Sequence, residues 1–392
     1  MAEPVYLDNA ATTPMDPRVR EAMLPFMGSS FGNPSSLHVI GRRARAAVES
    51  AREAVAALLG AQPPELVFTA SGTEANNLAL FGAMLPEGAP QGHLITSQIE
   101  HPSVLETCRS LERRGVPVTY LPVGSDGIVA PAALAAALRP DTRLVSVMAA
   151  NNVVGTLQPI AELCRLAHER GALFHTDAVQ SVGKVPLDAG ALGLDLLTLS
   201  AHKLYGPQGV GALVVRSGVR LAPLVHGGGQ EQGLRAATEN VAGIVGAGCA
   251  ATLARQEHGA DAARLVRLRE RILETLSQRV SNLYLIGDRY KRLPGHLCLG
   301  LEGQEGEAIR LLLELDERDI AVSSGSACSA HHRGEPSHVL LAMGANPVAA
   351  RGSVRVTLGR FTTDEDVERF LAVFPEVAST LRTVVARPTR RE

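Results

Sequence analysis

Between about residue 45 and residue 215 the chain alternates two hydrophobic periods. The short apolar runs "ELVFTA", "HLITS", "PVTYLPV", "RLVSVMAA", "ALFHTDAV", "DLLTLSA" and "GALVVR" read as strands. Helical segments separate most of them, and "RRARAAVESAREAVAALLG" predicts a helix closed by Gly60 as its C-cap. Strands and helices interleaved in this way predict crossovers and a mostly parallel sheet covered on both faces. Farther on, Leu265, Leu268, Ile272, Leu276 and Val280 recur at three and four residues and predict a long amphipathic helix. The order then changes to strand-like "HLCLGLEG", helix-like "EAIRLLLELDERD", strand-like "IAVSSG", then "SVRVTLGR" and a closing helix. That is an α+β pattern. The expected division is a large domain over 16–255 and a small domain built from 1–15 and 256–392, its basic tail "ARPTRRE" frayed. There is no internal repeat and no low-complexity linker.

Composition narrows the class. A chain of 392 residues is long enough for two domains and a large core. With 45% hydrophobic and 20% charged residues it reads as soluble and globular. Aromatics at 3% and the lack of tryptophan argue against a surface that stacks bases or sugars. A formal charge of −2 predicts no general affinity for nucleic acid or anionic membranes. The opening "MAEPVYLDNAATTP" has an early acid and no apolar core, unlike a secretory leader. The longest uncharged apolar run, Val241 to Ala254, falls short of the roughly 20 residues that a membrane span needs. The expectation is a cytoplasmic protein.

Five cysteines (108, 164, 249, 298 and 328) form no CxxC pair and no even framework. Cys108 and Cys164 lie in helical patterns and read as buried structural thiols. Cys328 differs: it sits in "SSGSACSAHHRGEPS", among small residues that offer nothing bulky to pack on it.

Two stretches suggest chemistry. In "ELVFTASGTEANN" a strand runs through Ser-Gly-Thr into a helix, whose free N–H groups and positive dipole end suit a phosphate. The same residues would also serve an ordinary N-cap with Glu74 in the first turn. It is neither the Gly-x-Gly-x-x-Gly pattern of dinucleotide binders nor a Walker loop. "ALFHTDAVQS" ends a strand with Asp177, and "TLSAHKLYGPQG" ends another with Ser200, His202 and Lys203. Ligands in parallel sheets sit beyond the carboxyl ends of strands. Alone, Lys203 could be a loop lysine in a salt bridge. Together, a lysine, an aspartate and a phosphate-type helix start are the parts of a pyridoxal phosphate site: the amine forms a Schiff base and the carboxylate keeps the pyridine nitrogen protonated.

The ordered motifs "YLDNAATTP", "FGNPSS", "SGTEANN", "EHPSV", "NNVVGT", "HTDAVQS", "SAHKLYGPQG", "GGGQEQGLRAATEN", "SSGSACS" and "RVTLGRFT" closely resemble the cysteine desulfurases of the NifS/IscS type, in the class V aminotransferase family. The resemblance runs nearly end to end. It implies an α/β, fold-type I pyridoxal phosphate-dependent transferase, with a mostly parallel seven-stranded sheet and a smaller α+β domain. It implies that Lys203 carries the cofactor, that Asp177 faces the ring nitrogen, and that His101 stacks on the ring and assists proton transfer. By the same resemblance Gln180 and Asn152 bond the ring hydroxyl region, and Gly72, Thr73, Ser200 and His202 hold the phosphate. Thr238 corresponds to a threonine given to the other subunit's phosphate, which implies a homodimer. Arg355 and Asn33 correspond to the holders of the substrate carboxylate.

The resemblance also answers why a thiol lies in so bare a loop. Breaking the β carbon–sulfur bond of L-cysteine needs a nucleophile that takes the sulfur as a persulfide and carries it away. A cysteine among small residues suits a mobile segment of about 323–337. A free thiol titrates near ~8.5, so activation must come from bound cofactor chemistry or a nearby cation, with His331, His332 and Arg333 the neighbours in sequence. The implied product is L-alanine. The implied partners are a sulfur acceptor or an iron–sulfur scaffold protein, on which Cys328 could join a cluster; no other metal site is expected. Other readings are a selenocysteine lyase or related aminotransferase, which needs no protein nucleophile, and a non-catalytic sulfur-transfer partner. Val153 stands where the family usually has glutamate, and Ala237 where it usually has glycine.

Overall fold

The structure, a computed structural model, describes residues 3–86, 88–324 and 335–385. The chain opens with β1 (Val5–Tyr6), α1 (Pro17–Met23) and α2 (Val39–Leu59). Strands then feed helices in turn: β2 (Leu66–Thr69) into α3 (Gly72–Met84), β3 (His93–Ser97) into α4 (Pro102–Glu112), and β4 (Val118–Leu121) into α5 (Pro131–Ala137). The alternation continues with β5 (Thr142–Ser146), α6 (Ile160–His168), β6 (Leu173–Asp177), α7 (Ala189–Leu192), β7 (Leu196–Ser200) and β8 (Gly211–Val215). After α8 (Val241–Arg279) come β9 (Leu283–Leu285), β10 (His296–Leu301), α9 (Ala308–Asp316), β11 (Ile320–Ala321) and β12 (Ser323–Ser324). The chain finishes through α10 (His338–Ala342), β13 (Ser353–Thr357) and α11 (Asp364–Val385).

All seven strands expected before residue 216 form, and they make one sheet in the order β2-β8-β7-β6-β5-β3-β4. Only β8 runs against its neighbours; β7, β6, β5, β3 and β4 are parallel. Most of these strands are buried along their whole length, because helices cover both faces, and that is why they read as unbroken apolar runs. The parallel strands deliver their carboxyl ends to one edge. At that edge β3 has β4 on one side and β5 on the other, so successive crossovers leave in opposite directions and open a crevice.

The helix predicted before Gly60 is α2, and Gly60 closes it in the left-handed conformation (φ 65°) that a residue without Cβ adopts at little cost. The small-residue run Val241–Ala254 and the leucine-spaced stretch after it prove to be one helix of 39 residues. Its first half packs Ile244, Ala247 and Ala251 into the core of the large sheet. Its second half packs Leu265, Leu268, Ile272 and Leu276 into a second core with β10, β13 and α11. The boundary expected near residue 256 therefore falls inside a continuous helix.

The second core lies against the antiparallel sheet β12-β13-β10-β9. The stretch "IAVSSG", expected as one strand, divides: β11 pairs parallel with β1, and β12 pairs antiparallel with β13. The short β9 was not expected, since half-exposed "LYL" carries too little periodicity.

Candidate active site

A cleft of about 330 Å³ opens at the carboxyl edge of the large sheet. One wall is the N-terminus of α3. Ser71 caps it, its Oγ accepting from the Glu74 N–H, and Gly72 and Thr73 face the cleft. A Cβ on Gly72 would stand 2.9 Å from Val179 Cγ2 and 3.4 Å from Ser200 Cβ, so the glycine lets helix, loop and β7 converge. Ser200 and His202 face the same space. His202 is pushed down to about 4 by burial, with Lys203 and Lys184 adding to the effect, so its ring is neutral. Its Nδ1 lies 3.0 Å from Thr12 Oγ1.

Asp177 and Lys203 come from the ends of adjacent strands. Asp177 is the last residue of β6 and is buried; its Oδ2 accepts from Asn76 Nδ2 at 2.7 Å and its Oδ1 from the Val179 N–H at 3.0 Å. Both donors are neutral. Lys203 ends the single 3-10 turn that follows β7, and its Nζ donates to the carbonyls of Ala10 and Ala11, each at 2.5 Å. The Ala10 carbonyl also accepts from Gln180 Nε2 at 2.9 Å.

His101 has two roles in the structure. It is the N-cap of α4, with Nδ1 accepting from the Ser103 N–H at 3.1 Å, and it also lines the cleft. A backbone N–H can only donate, so Nδ1 is an acceptor and the neutral ring carries its proton on Nε2. Burial lowers its pKa, Asp177 opposes that, and Lys203 and His338 reinforce it. Ser103 Oγ lies 2.8 Å from the same Nδ1 and accepts from Asn76 Nδ2 at 2.8 Å. One asparagine amide thus ties the His101 turn to the Asp177 carboxylate.

Of the residues singled out in the sequence, Gly72, Thr73, His101, Asn152, Asp177, Gln180, Ser200, His202 and Lys203 line this one cleft. Arg355 does not line it. It lies just behind on β13, fully buried, with Nη1 donating to the Asn152 carbonyl (2.9 Å) and Nη2 to Asp8 Oδ1 (2.8 Å). Its Nε has no partner among the described residues. Asn33 is exposed and spends its Oδ1 on the Ser35 N–H, outside the cleft. Thr238 is exposed and also outside. Cys328, with His331, His332 and Arg333, lies outside the described residues.

Sequence reasoning passed over Asn76, Ser103 and the carbonyls of Ala10 and Ala11. Asn76 had a usable signal: it follows Thr73 by three residues on a helix start, so both face one side. The carbonyls had none, because backbone atoms look alike at every position.

Both family departures have a local setting. Val153 is buried among Ile99, Met148 and Val339, and its carbonyl faces His296 Nε2 at 2.9 Å. Ala237 has φ 102°, a region that favours glycine, so alanine is strained there.

The aminotransferase class-V family pattern matches residues 5–370. The cysteine desulfurase IscS of Dictyoglomus turgidum is 49% identical over 384 residues, covering 98% of this chain and 97% of the relative. That of Anaeromyxobacter dehalogenans is 49% identical over 385 residues, covering 97% and 94%. Among solved structures, a NifS-like protein superposes with a TM-score of 0.90 at 38% identity, covering 96% of this chain and all of that one. SspA in complex with cysteine gives 0.81 at 38% identity, covering 91% and 99%. With its pattern matched over nearly the whole length, this chain belongs to the aminotransferase class-V family.

Proposed function

We propose that this protein is a pyridoxal 5'-phosphate-dependent L-cysteine desulfurase, which converts L-cysteine to L-alanine and takes the sulfur as a persulfide on Cys328. The observation that carries the reading is the meeting of a buried carboxylate, Asp177, and a primary amine, Lys203, in one cleft with the N-terminus of α3. The residues fit the cofactor. The N–H groups of Gly72 and Thr73, with Ser200 and His202, suit a phosphate. Among the described residues the hydrogen bonds to Asp177 come from the neutral Asn76 amide and Val179 N–H, which leaves its charge for a protonated pyridine nitrogen. Gln180 and Asn152 would serve the ring hydroxyl. Named relatives at 49% identity support the same activity.

When bound, pyridoxal phosphate supplies an electron sink that makes the substrate's α-proton acidic and its β carbon–sulfur bond breakable. Lys203 would hold the cofactor and then move the α-proton. His101, neutral with its proton on Nε2, would donate or accept in the proton steps. Arg355, with Asn33, would bind the substrate carboxylate; its guanidinium is anchored on Asp8 and the Asn152 carbonyl. In the net reaction the sulfur leaves the substrate β carbon, bonds to the Cys328 sulfur, and the β carbon gains a proton.

A homodimer would bring Thr238 to the partner's phosphate end. Supporting it, Leu24, Met27, Phe31 and Leu37 are exposed together on the segment that holds Asn33. The persulfide would pass to an acceptor or an iron–sulfur scaffold protein. The setting is cytoplasmic; among the described residues no helix is long and apolar enough to cross a membrane.

Alanine and persulfide formation from L-cysteine, in wild type and in Cys328→Ala, tests the reading. The wild type should form both and the variant should stall. A variant that makes alanine at the wild-type rate would sink Cys328 as sulfur acceptor and favour a selenocysteine lyase.

A further inference from the structure

Glu100 joins the end of β3 to His101, and its side chain is fully buried. One carboxyl oxygen, Oε1, accepts from Ser97 Oγ at 2.5 Å and from the Met148 N–H at 3.0 Å. The other, Oε2, has no partner among the described residues. Met148 follows β5 and lines the cleft, so the carboxyl spans the crevice between β3 and β5 just behind the site. The Glu100 carbonyl lies 3.0 Å from His338 Nε2 at the start of α10.

The groups that face this carboxyl make an anion costly. Asp177 approaches from the end of β6 and is itself a carboxylate. Cys108 acts on it from α4, His101 follows it in the chain, and His338 meets its main-chain carbonyl from the start of α10. Burial holds both histidines below the ordinary histidine range, so neither supplies a cation at neutral pH, and it pushes the Cys108 thiol up, so that group stays a neutral thiol. An ionised Glu100 would keep one buried oxygen without a donor among the described residues, next to a second negative charge.

We propose that Glu100 is a positioning residue that works as a neutral carboxylic acid: it braces the turn carrying His101 against the cleft floor at Met148 and leaves the negative charge of the site on Asp177. The electrostatics point the same way. Its pKa is raised to about 8, chiefly by burial, against the lowering pull of the hydrogen bonds from Ser97 and Met148 and with Asp177 adding to the rise. The proposal deepens the desulfurase reading and rests on it only for the role of His101.

The experiment compares holoenzyme of wild type, Glu100→Gln and Glu100→Ala. Glutamine is uncharged and of the same shape, so it should keep kcat/KM within about threefold at neutral pH, while alanine loses about tenfold or more. Thermal midpoints across pH give a readout independent of turnover. Between about 4.3 and about 8 the folded wild type binds a proton that its unfolded chain has released, so its stability falls as pH rises. The midpoint of Glu100→Gln relative to wild type should therefore climb over that range and level off above it. Infrared spectroscopy of wild type at neutral pH should show a protonated carboxyl band that disappears above about 8. A pH-independent midpoint difference, a glutamine variant as impaired as alanine or unable to fold, or no such band would each overturn the proposal. The thermal midpoints and the infrared band do not depend on cysteine being the substrate, so the desulfurase reading stands or falls separately.

Discussion

Asn76 offers a direct test of whether Asp177 is an anion held by neutral donors. Its amide gives one N–H to Asp177 Oδ2 at 2.7 Å and the other to Ser103 Oγ at 2.8 Å, and all three residues are buried. Asn76→Ala removes a hydrogen bond to a charged acceptor, worth roughly 1.5–3 kcal/mol, and a neutral one worth roughly 0.5–1.5. Part of that loss is offset, because Asn76 Oδ1 has no partner among the described residues and its removal relieves a buried carbonyl. A net loss of about 1–3 kcal/mol should appear in urea unfolding of the cofactor-free enzyme. Asn76→Asp sharpens the test, since it sets a second carboxylate against Asp177, and two such groups cannot both ionise cheaply. The folded variant then holds a proton that its unfolded chain releases above about 3.9, so its penalty should grow as pH rises from there. At neutral pH Asn76→Asp should be the less stable of the two variants. If it matches wild type at neutral pH, with a gap that does not change with pH, Asp177 is not a charged group held in this way.

Two further outcomes follow from the geometry. Ala237→Gly should raise stability by up to about 1 kcal/mol, because relief of the strain at φ 102° exceeds the entropy glycine adds to the unfolded chain; an unchanged or lower urea midpoint would refute the strain. His175 is buried between Ser146 and Thr198, and burial drives its pKa down to about 3. Its folded form stays neutral while the unfolded chain takes up a proton below about 6.5, so wild type loses stability on acidification that His175→Gln does not. The gap between them should narrow by about 2 kcal/mol between about pH 6.5 and pH 5, and a constant gap would mean that His175 is not held neutral.

Much was legible along the chain because the signals are local. The seven strands of the large sheet announce themselves as apolar runs, since burial on both faces removes any need for polar alternation. Gly60 reads as a helix end because its left-handed backbone depends on that one residue. Asp177, Ser200 and Lys203 read as a site because carboxyl ends of parallel strands share an edge, a consequence of topology that periodicity alone predicts.

What the sequence by itself determined, then, is the strand–helix alternation, the family, and most of the side chains that meet in the cleft. Tertiary structure alone decided how they are held. The Ala10 and Ala11 carbonyls reach Lys203 from about 190 residues away, and one Asn76 amide joins two turns that no spacing connects. It also divided "IAVSSG" between two sheets and ran one helix through the expected domain boundary, because a strand takes its partner, and a helix its core, from packing. The charge of Glu100 belongs to that second kind. Nothing in the sequence marks Glu100, and only its burial, its undonated oxygen and the nearness of Asp177 make it a neutral acid.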